Sequence, residues 1–247
     1  MRVEHAELSL MGARESNQDR VGAVVGNEAA LMIAVDGMGG HAEGERAAEI
    51  ALQVTGQRFK GATAPLLDPQ GFLHLALGAA HQHIVGIGSD MPLENRPRAT
   101  IALCLVQRGS AYWGHVGDSR AYHLRRGQVV SRTRDHSHVE LLVREGVIQA
   151  DQAQAHPMRN FVESCLGGEL LLPEMDVSRR HALEPGDVLL VCTDGLWSGL
   201  SDAAVAGAFS QPAQPLNESL AALGAQAVLA AGAASDNTSA VALRFLE

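Results

Sequence analysis

Four times in this chain an apolar, strand-like run stands next to an aspartate. Residues 31–35 lead into Asp36-Gly37, residues 188–193 into Asp194-Gly195 and residues 113–117 into Asp118-Ser119, while Asp236-Asn237 stands just before the last apolar run. One Asp-Gly dipeptide is ordinary turn chemistry. Four acids at strand ends ask for more: if those ends meet at one rim, the carboxylates repel one another unless protons or cations neutralise them. All-oxygen donors without matching His or Cys select hard ions, so the pattern favours Mg²⁺ or Mn²⁺ over zinc. The glycines fit that reading, because a residue without Cβ lets a backbone carbonyl approach an ion closely.

A second polar constellation, Gly12-Ala13-Arg14-Glu15-Ser16-Asn17-Gln18-Asp19, lies between two strand patterns. In isolation an ordinary hairpin loop explains it as well as a functional one. Beside a metal cluster, the Arg14 fork would hold two phosphate oxygens, and Asp19 would bond metal-bound water from outside the ligand set. The histidines and cysteines read more blandly. His81 and His83, two apart on a helical pattern, face different directions and make a poor metal pair. His136 belongs to an Asp-His-Ser stretch that reads as the cap of the following helix. Cys104, Cys165 and Cys192 lack paired spacing and read as small core residues, and no G-x-S-x-G elbow marks a serine hydrolase.

The elements that must position these residues follow from periodicity. Strand patterns occupy residues 3–10, 21–25 and 29–35. Helical spacing then runs over 42–59, with Ala47, Ile50, Ala51 and Val54 on one face. A second helix starts at Asp68-Pro69, an N-cap followed by proline at the first position, and runs past Ile84. Strands are expected at 99–106, 110–116, 119–124 and 128–131, a helix at 137–145, and a surface insertion with short helices at 146–175. Strands at 176–182 and 187–193, helices at 202–209 and 216–231, and a strand at 239–246 complete the chain. Two packed sheets with helices on their outer faces would bury all of these. One domain over 1–247 is the simplest account.

A chain of 247 residues with 46% hydrophobic residues can bury a large core without disulfides or metal, which excludes disorder and stapled miniproteins. The net charge of -9 disfavours nucleic acid and anionic membranes as partners. No run reaches the roughly 20 uncharged apolar residues of a spanning helix, and the first residues lack a signal-peptide apolar region, so a cytoplasmic location is expected. Lys60 is the only lysine, so an anion gripped here meets the planar fork of arginine.

Arg14-x-x-Asn17-Gln18-Asp19, Asp36-Gly37-Met38-Gly39-Gly40-His41, Gly117-Asp118-Ser119-Arg120, Asp135-His136-Ser137, Asp194-Gly195-Leu196 and Asp236-Asn237 occur in that order. With these six motifs, spread over residues 12–237, the chain resembles the PPM family of metal-dependent, type 2C Ser/Thr protein phosphatases. The DGMGGH form and His156-Pro157-Met158-Arg159-Asn160 look like its compact bacterial branch.

The resemblance implies an α+β fold, a four-layer αββα sandwich of two mainly antiparallel sheets flanked by helix pairs. It implies a dinuclear Mg²⁺ or Mn²⁺ centre whose bound hydroxide attacks phosphoserine or phosphothreonine in line. Asp36 would bridge the two ions, Gly37 would offer its carbonyl, and Asp194 and Asp236 would complete one ion's shell. Asp118 with Asp194 would hold a third ion, Arg14 would bind the phosphoryl group, and Asp19 would orient bound water. Residues 146–175 would contain a flap beside the cleft. The partners implied are phosphorylated Ser/Thr proteins and a cognate Ser/Thr kinase, with the phosphatase a monomer. The chain departs from the pattern at several points. Met38 stands where many eukaryotic members have a histidine proposed as general acid, which leaves His41 as the candidate substitute. Gln18 replaces a frequent Glu, and Asn237 is followed by Thr238 rather than an aliphatic residue.

Two other classes compete. A catalytically silent phosphatase fold that only binds phosphoproteins would lack the metal acids, and Asp36, Asp194 and Asp236 are all in place. An N-terminal nucleophile hydrolase would need Thr, Ser or Cys at a mature N-terminus, and the chain begins Met1-Arg2.

Overall fold

The computed structural model describes residues 1–38 and 42–247. His41, the candidate acid, lies outside them. In chain order the strands are β1 Val3–Leu10, β2 Asp19–Val25, β3 Ala29–Met38, β4 Arg98–Gln107, β5 Ser110–Val116, β6 Arg120–Arg125, β7 Gln128–Arg132, β8 Leu166–Gly167, β9 Asp176–Val177, β10 His181–Ala182, β11 Val188–Cys192 and β12 Thr238–Phe245. The α-helices are α1 Ala42–Lys60, α2 Pro69–Ile87, α3 His138–Arg144, α4 Asp194–Trp197, α5 Asp202–Gly207 and α6 Leu216–Ala231. One sheet runs β1-β12-β11-β6-β7 and the other β10-β5-β4-β3-β2, with β8 on β4 and β9 on β5. Every pairing is antiparallel.

The alternation inside β3 shows why two sheets must stack. Leu31, Ile33 and Val35 pack outward with Leu103 and Ile101 of β4 against Ala47 and Ala51 of α1 and Leu73 and Leu77 of α2. Ala30, Met32 and Ala34 point the other way and meet Leu189, Val191, Val241 and Leu243 of the first sheet. The outer face of that sheet, with Leu190, Cys192 and Ala242, is covered by Leu196, Val205 and Leu220 of α4, α5 and α6. Helix, sheet, sheet and helix therefore enclose three apolar interfaces, the four-layer sandwich expected. Leu103 is fully buried, so Leu103→Ala should cost about 2–5 kcal/mol.

Local chemistry fixes the helix ends. Asp68 Oδ1 accepts a 2.9 Å hydrogen bond from the Gly71 amide at the start of α2, just before Pro69. Helix α1 carries Glu43 and Glu45 in its first turn and Arg58 and Lys60 in its last, matching its dipole. Cys104 and Cys192 are buried and all three cysteines are free thiols. Among the described residues, no helix is long and apolar enough to cross a membrane.

Four local expectations need correction. Strand β3 does not stop at Val35, because Asp36, Gly37 and Met38 continue the ladder opposite Thr100, Ala99 and Arg98. Asp194 does not sit in a turn but opens the single-turn helix α4. The strand at 176–182 is split in two: Ser178 bonds Trp113 and His181 pairs with Ala111. Three residues therefore advance against two, and the extra one bulges out of the ladder. Within 146–175, the segment is not all surface insertion, since β8 adds to β4 and Leu166 is fully buried.

Candidate active site

Strand register brings the acids together. The β2–β3 pairing sets Asp19 directly opposite Asp36. Asp194 opens α4, Asp236 stands two residues before the start of β12, and Asp118 occupies the short connection from β5 to β6. Asp36, Gly37, Asp118, Asp194 and Asp236 line one cleft of about 540 Å³ together with Arg14 and Met38, and Asn160 and Val162 close it from the 146–175 segment. Asp19 is not on its surface. It is buried, and its Oδ2 accepts a 2.8 Å hydrogen bond from Thr193 Oγ1.

The electrostatics of this rim are those of carboxylates short of countercharge. Desolvation, and then Asp194 and Asp19, hold the Asp36 carboxyl well above its ordinary range. Desolvation and then Asp236 raise Asp194 to about 6. Asp19 rises to about 7, again first through burial. Asp118 is pushed well up by desolvation and then by Asp194. Arg14 is the cation at the rim: its Nη2 donates to Asp236 Oδ2 at 2.6 Å, and that contact raises the guanidinium above its ordinary value. The arginine loop therefore packs beside the acids and lines the same cleft.

Close backbone approach explains two of the glycines. A Cβ on Gly37 would lie 2.0 Å from the Gly44 carbonyl, and one on Gly195 would lie 2.0 Å from the Asn237 carbonyl. Gly37 of β3 thus touches the backbone of α1, and Gly195 of α4 touches the residue just before β12, so both glycines meet a packing requirement besides any approach of an ion.

Several residues that build the site have roles that their place in the motifs does not announce, and Trp197 lies outside the motifs. Asn237 Oδ1 accepts from the Gln18 amide at 2.8 Å, and its Nδ2 donates to the carbonyls of Met11 and Ser16, which pins the Arg14 loop beside Asp236. Behind Asp118, the Arg120 guanidinium forks onto Asp135 at 2.8 and 2.7 Å and stacks 3.3 Å from the centre of the Trp197 ring. Trp197 Nε1 in turn donates to the Asp118 carbonyl at 3.1 Å. In the Asp-His-Ser stretch, Ser137 supplies the helix cap. His136 instead exchanges bonds with Gly117, accepting from its amide at Nδ1 and donating its own amide to the carbonyl.

His115, His136 and Asp176 gather behind this loop, with possible ligand atoms within 4.8 Å of one another. They do not make a metal site. The two imidazoles stack with centroids 4.6 Å apart and planes 28° apart, so their in-plane lone pairs do not converge on one ion. His136 Nδ1 also accepts from Gly117, which leaves the proton on Nε2. The bland reading of the other histidines also fits His81, whose Nδ1 accepts from the Gly167 amide.

With this geometry in view, similarity to known proteins is informative. A sequence model described as protein phosphatase 2C matches residues 11–234. The chain belongs to the protein phosphatase 2C family. Relatives in this family include the serine/threonine protein phosphatase PstP of Mycobacterium tuberculosis, 32% identical over 205 residues, which are 81% of this chain but 37% of that protein. Among solved structures, the serine/threonine phosphatase of S. agalactiae superposes with a TM-score of 0.86 at 28% identity, covering 100% of both chains. The catalytic domain of PstP in complex with two manganese ions matches with a TM-score of 0.83 at 27% identity, over 99% of both chains. A phosphatase 2C fold thus spans the chain, and the protein is an enzyme of the protein-serine/threonine phosphatase class.

Proposed function

We propose that the chain removes phosphate from phosphoserine and phosphothreonine in proteins, using a dinuclear Mg²⁺ or Mn²⁺ centre in the acidic cleft. The observation that carries this reading is the convergence of Asp36, Asp118, Asp194 and Asp236 on one cleft beneath a single arginine. The donor set fits hard divalent ions: it is all oxygen, and its raised proton affinities mark an excess of negative charge that such ions would neutralise. Two ions bound there would supply a hydroxide nucleophile at neutral pH and stabilise the attacking and leaving oxygens.

The chain's own residues divide the remaining work. Asp36, the Gly37 carbonyl, Asp194 and Asp236 hold the two ions, and Asp118 with Asp194 holds a weaker third. Arg14 swings between Asp236 and the phosphoryl oxygens, which its fork aligns for in-line attack. Asp19, fixed by Thr193, orients water beside Asp36. The segment 146–175 is a flap that contributes Asn160 and Val162 to the cleft wall. The PstP structure with two manganese ions supports the metal count. Residues 1–247 act as one catalytic domain, monomeric and cytoplasmic, opposing a Ser/Thr kinase. Hydrolysis of p-nitrophenyl phosphate and of a phosphothreonine peptide should vanish in EDTA and return with Mn²⁺ or Mg²⁺. Full turnover by exhaustively chelated, metal-free protein would reject the proposal.

A further inference from the structure

Asp118 and Asp194 come from different elements, and the ladder between β6 and β11 brings them near but ends at Arg120 opposite Cys192, two residues short of each acid, so it does not by itself fix the distance between them. Helix α4 does. It is one turn long, with Asp194 at its start and Trp197 at its end, and Trp197 Nε1 donates to the Asp118 backbone carbonyl at 3.1 Å. One rigid turn therefore carries the first acid and grips the residue that bears the second. The indole has little freedom to move. Arg120 lies 3.3 Å from its ring centre, and Arg120 is held by two bonds from its guanidinium to Asp135 and a third to Tyr122 Oη. From the other side, the mutual bonds between Gly117 and His136 fix the residue before Asp118.

We infer that Trp197 is a positioning residue that sets the spacing of Asp118 and Asp194, and with it the affinity of the ion these two acids share. Arg120 and Asp135 brace the indole for this task. The inference rests on the proposed reading of Asp118 as an ion ligand and goes beyond it by assigning the N–H of Trp197 a role in metal affinity. A tryptophan serving only as packing would be replaced without loss by another aromatic ring that keeps the stack on Arg120. A positioning tryptophan would not, because only the indole carries a donor aimed at Asp118.

The experiment is a Mn²⁺ titration of wild type, Trp197→Phe, Asp118→Ala and the double variant, followed by calorimetry and by Mn²⁺ electron paramagnetic resonance, with thermal melting of each protein. Trp197→Phe should keep the tight pair of sites and a near-wild-type melting temperature, while the weak site loses about 10-fold or more in affinity, the scale on which lost outer partners of a metal act. Turnover should recover at high Mn²⁺, separating metal affinity from the chemical step. In the Asp118→Ala background, Trp197→Phe should change nothing further at the weak site, since the carboxylate whose position it sets is gone. A weak site unchanged in Trp197→Phe but lost in Asp118→Ala would overturn the role of Trp197 and leave the proposed function standing. Equal loss from Trp197→Phe in both backgrounds would also overturn it. Identical isotherms for wild type and Asp118→Ala would remove the shared ion itself, and the inference with it. Should Trp197→Phe melt early, Arg120→Met combined with Asp135→Leu tests the same brace without leaving a buried charge unpaired, with the same weak-site loss expected and an unchanged isotherm counting against the inference.

Discussion

Asp19 and Asp36 sit directly opposite each other across β2 and β3, two acids in a cross-strand pair. Such a pairing opposes like charges at the position where a sheet tolerates them least, so the arrangement serves something other than stability. Asp36→Asn and Asp194→Asn should each lower kcat by orders of magnitude while raising, or at least not lowering, the melting temperature of metal-free protein. Paired kinetics and melting in EDTA check both halves. Wild-type turnover at saturating Mn²⁺ in either variant would show that the ions bind elsewhere.

Proton linkage gives the same argument a pH axis. Asp19 and Asp194 rise to about 7 and about 6 from an ordinary 3.8, and Asp36 and Asp118 are also raised. Each binds its proton more tightly in the folded chain, so the stability it contributes is complete below its unfolded value and is lost as pH climbs through the folded one. His81, His115 and His181 run the opposite way, lowered first by desolvation, but their contribution is complete above the ordinary histidine value of 6.5 and adds no slope there. As pH climbs from 6.5 through about 7, where Asp19 gives up its proton, the melting temperature should therefore fall in EDTA and hold nearly level in Mg²⁺. Equal slopes with and without Mg²⁺ would mean that the acids are not the source of the linkage.

Much of this was legible in the sequence because it is local. The run Ala30 to Val35 announces a strand buried on both faces, and the acids at the ends of such runs could be named before their meeting was visible. The contacts that hold them were not legible. Thr193 and Asp19 are 174 residues apart and Trp197 and Asp118 are 79 apart, and no spacing rule links such pairs. Helix α4 escaped notice because four residues are too few to show a 3.6 period. The Asp135-His136-Ser137 stretch reads in sequence as one helix cap, yet its three residues do three things: Asp135 grips Arg120, His136 grips Gly117, and Ser137 caps α3.

Arg14 bonds Asp236 from an exposed position, with 58% of its side chain accessible. A pair this open is worth about 1 kcal/mol at most, so Arg14→Ala should barely change stability. It should raise KM for phosphopeptide and abolish inhibition by inorganic phosphate, while Mn²⁺ binds as well as before or better, because a cation next to a proposed ligand has been removed. Arg14→Lys should rescue only in part, since an ammonium restores charge without the bidentate fork. Unchanged KM, kcat and phosphate inhibition in Arg14→Ala would withdraw its role.

Arg120 and Asp135 form the opposite kind of pair, with side chains 11% and 5% accessible and two hydrogen bonds between them. Removing one partner leaves the other charge buried and uncompensated, which costs about 3–5 kcal/mol. Asp135→Ala should therefore unfold at markedly lower urea, although Asp135 does not line the cleft. Replacing both residues with apolar ones of similar volume, Arg120→Met with Asp135→Leu, should recover most of that stability, because the desolvation penalty disappears with the charges. The double variant should still bind Mn²⁺ poorly at the weak site, for it restores packing but not the guanidinium that braces Trp197. Urea unfolding of the three proteins checks the prediction. A loss of about 1 kcal/mol or less in Asp135→Ala, the worth of an exposed pair, would mean that water reaches Arg120 and that the brace behind Asp118 is soft.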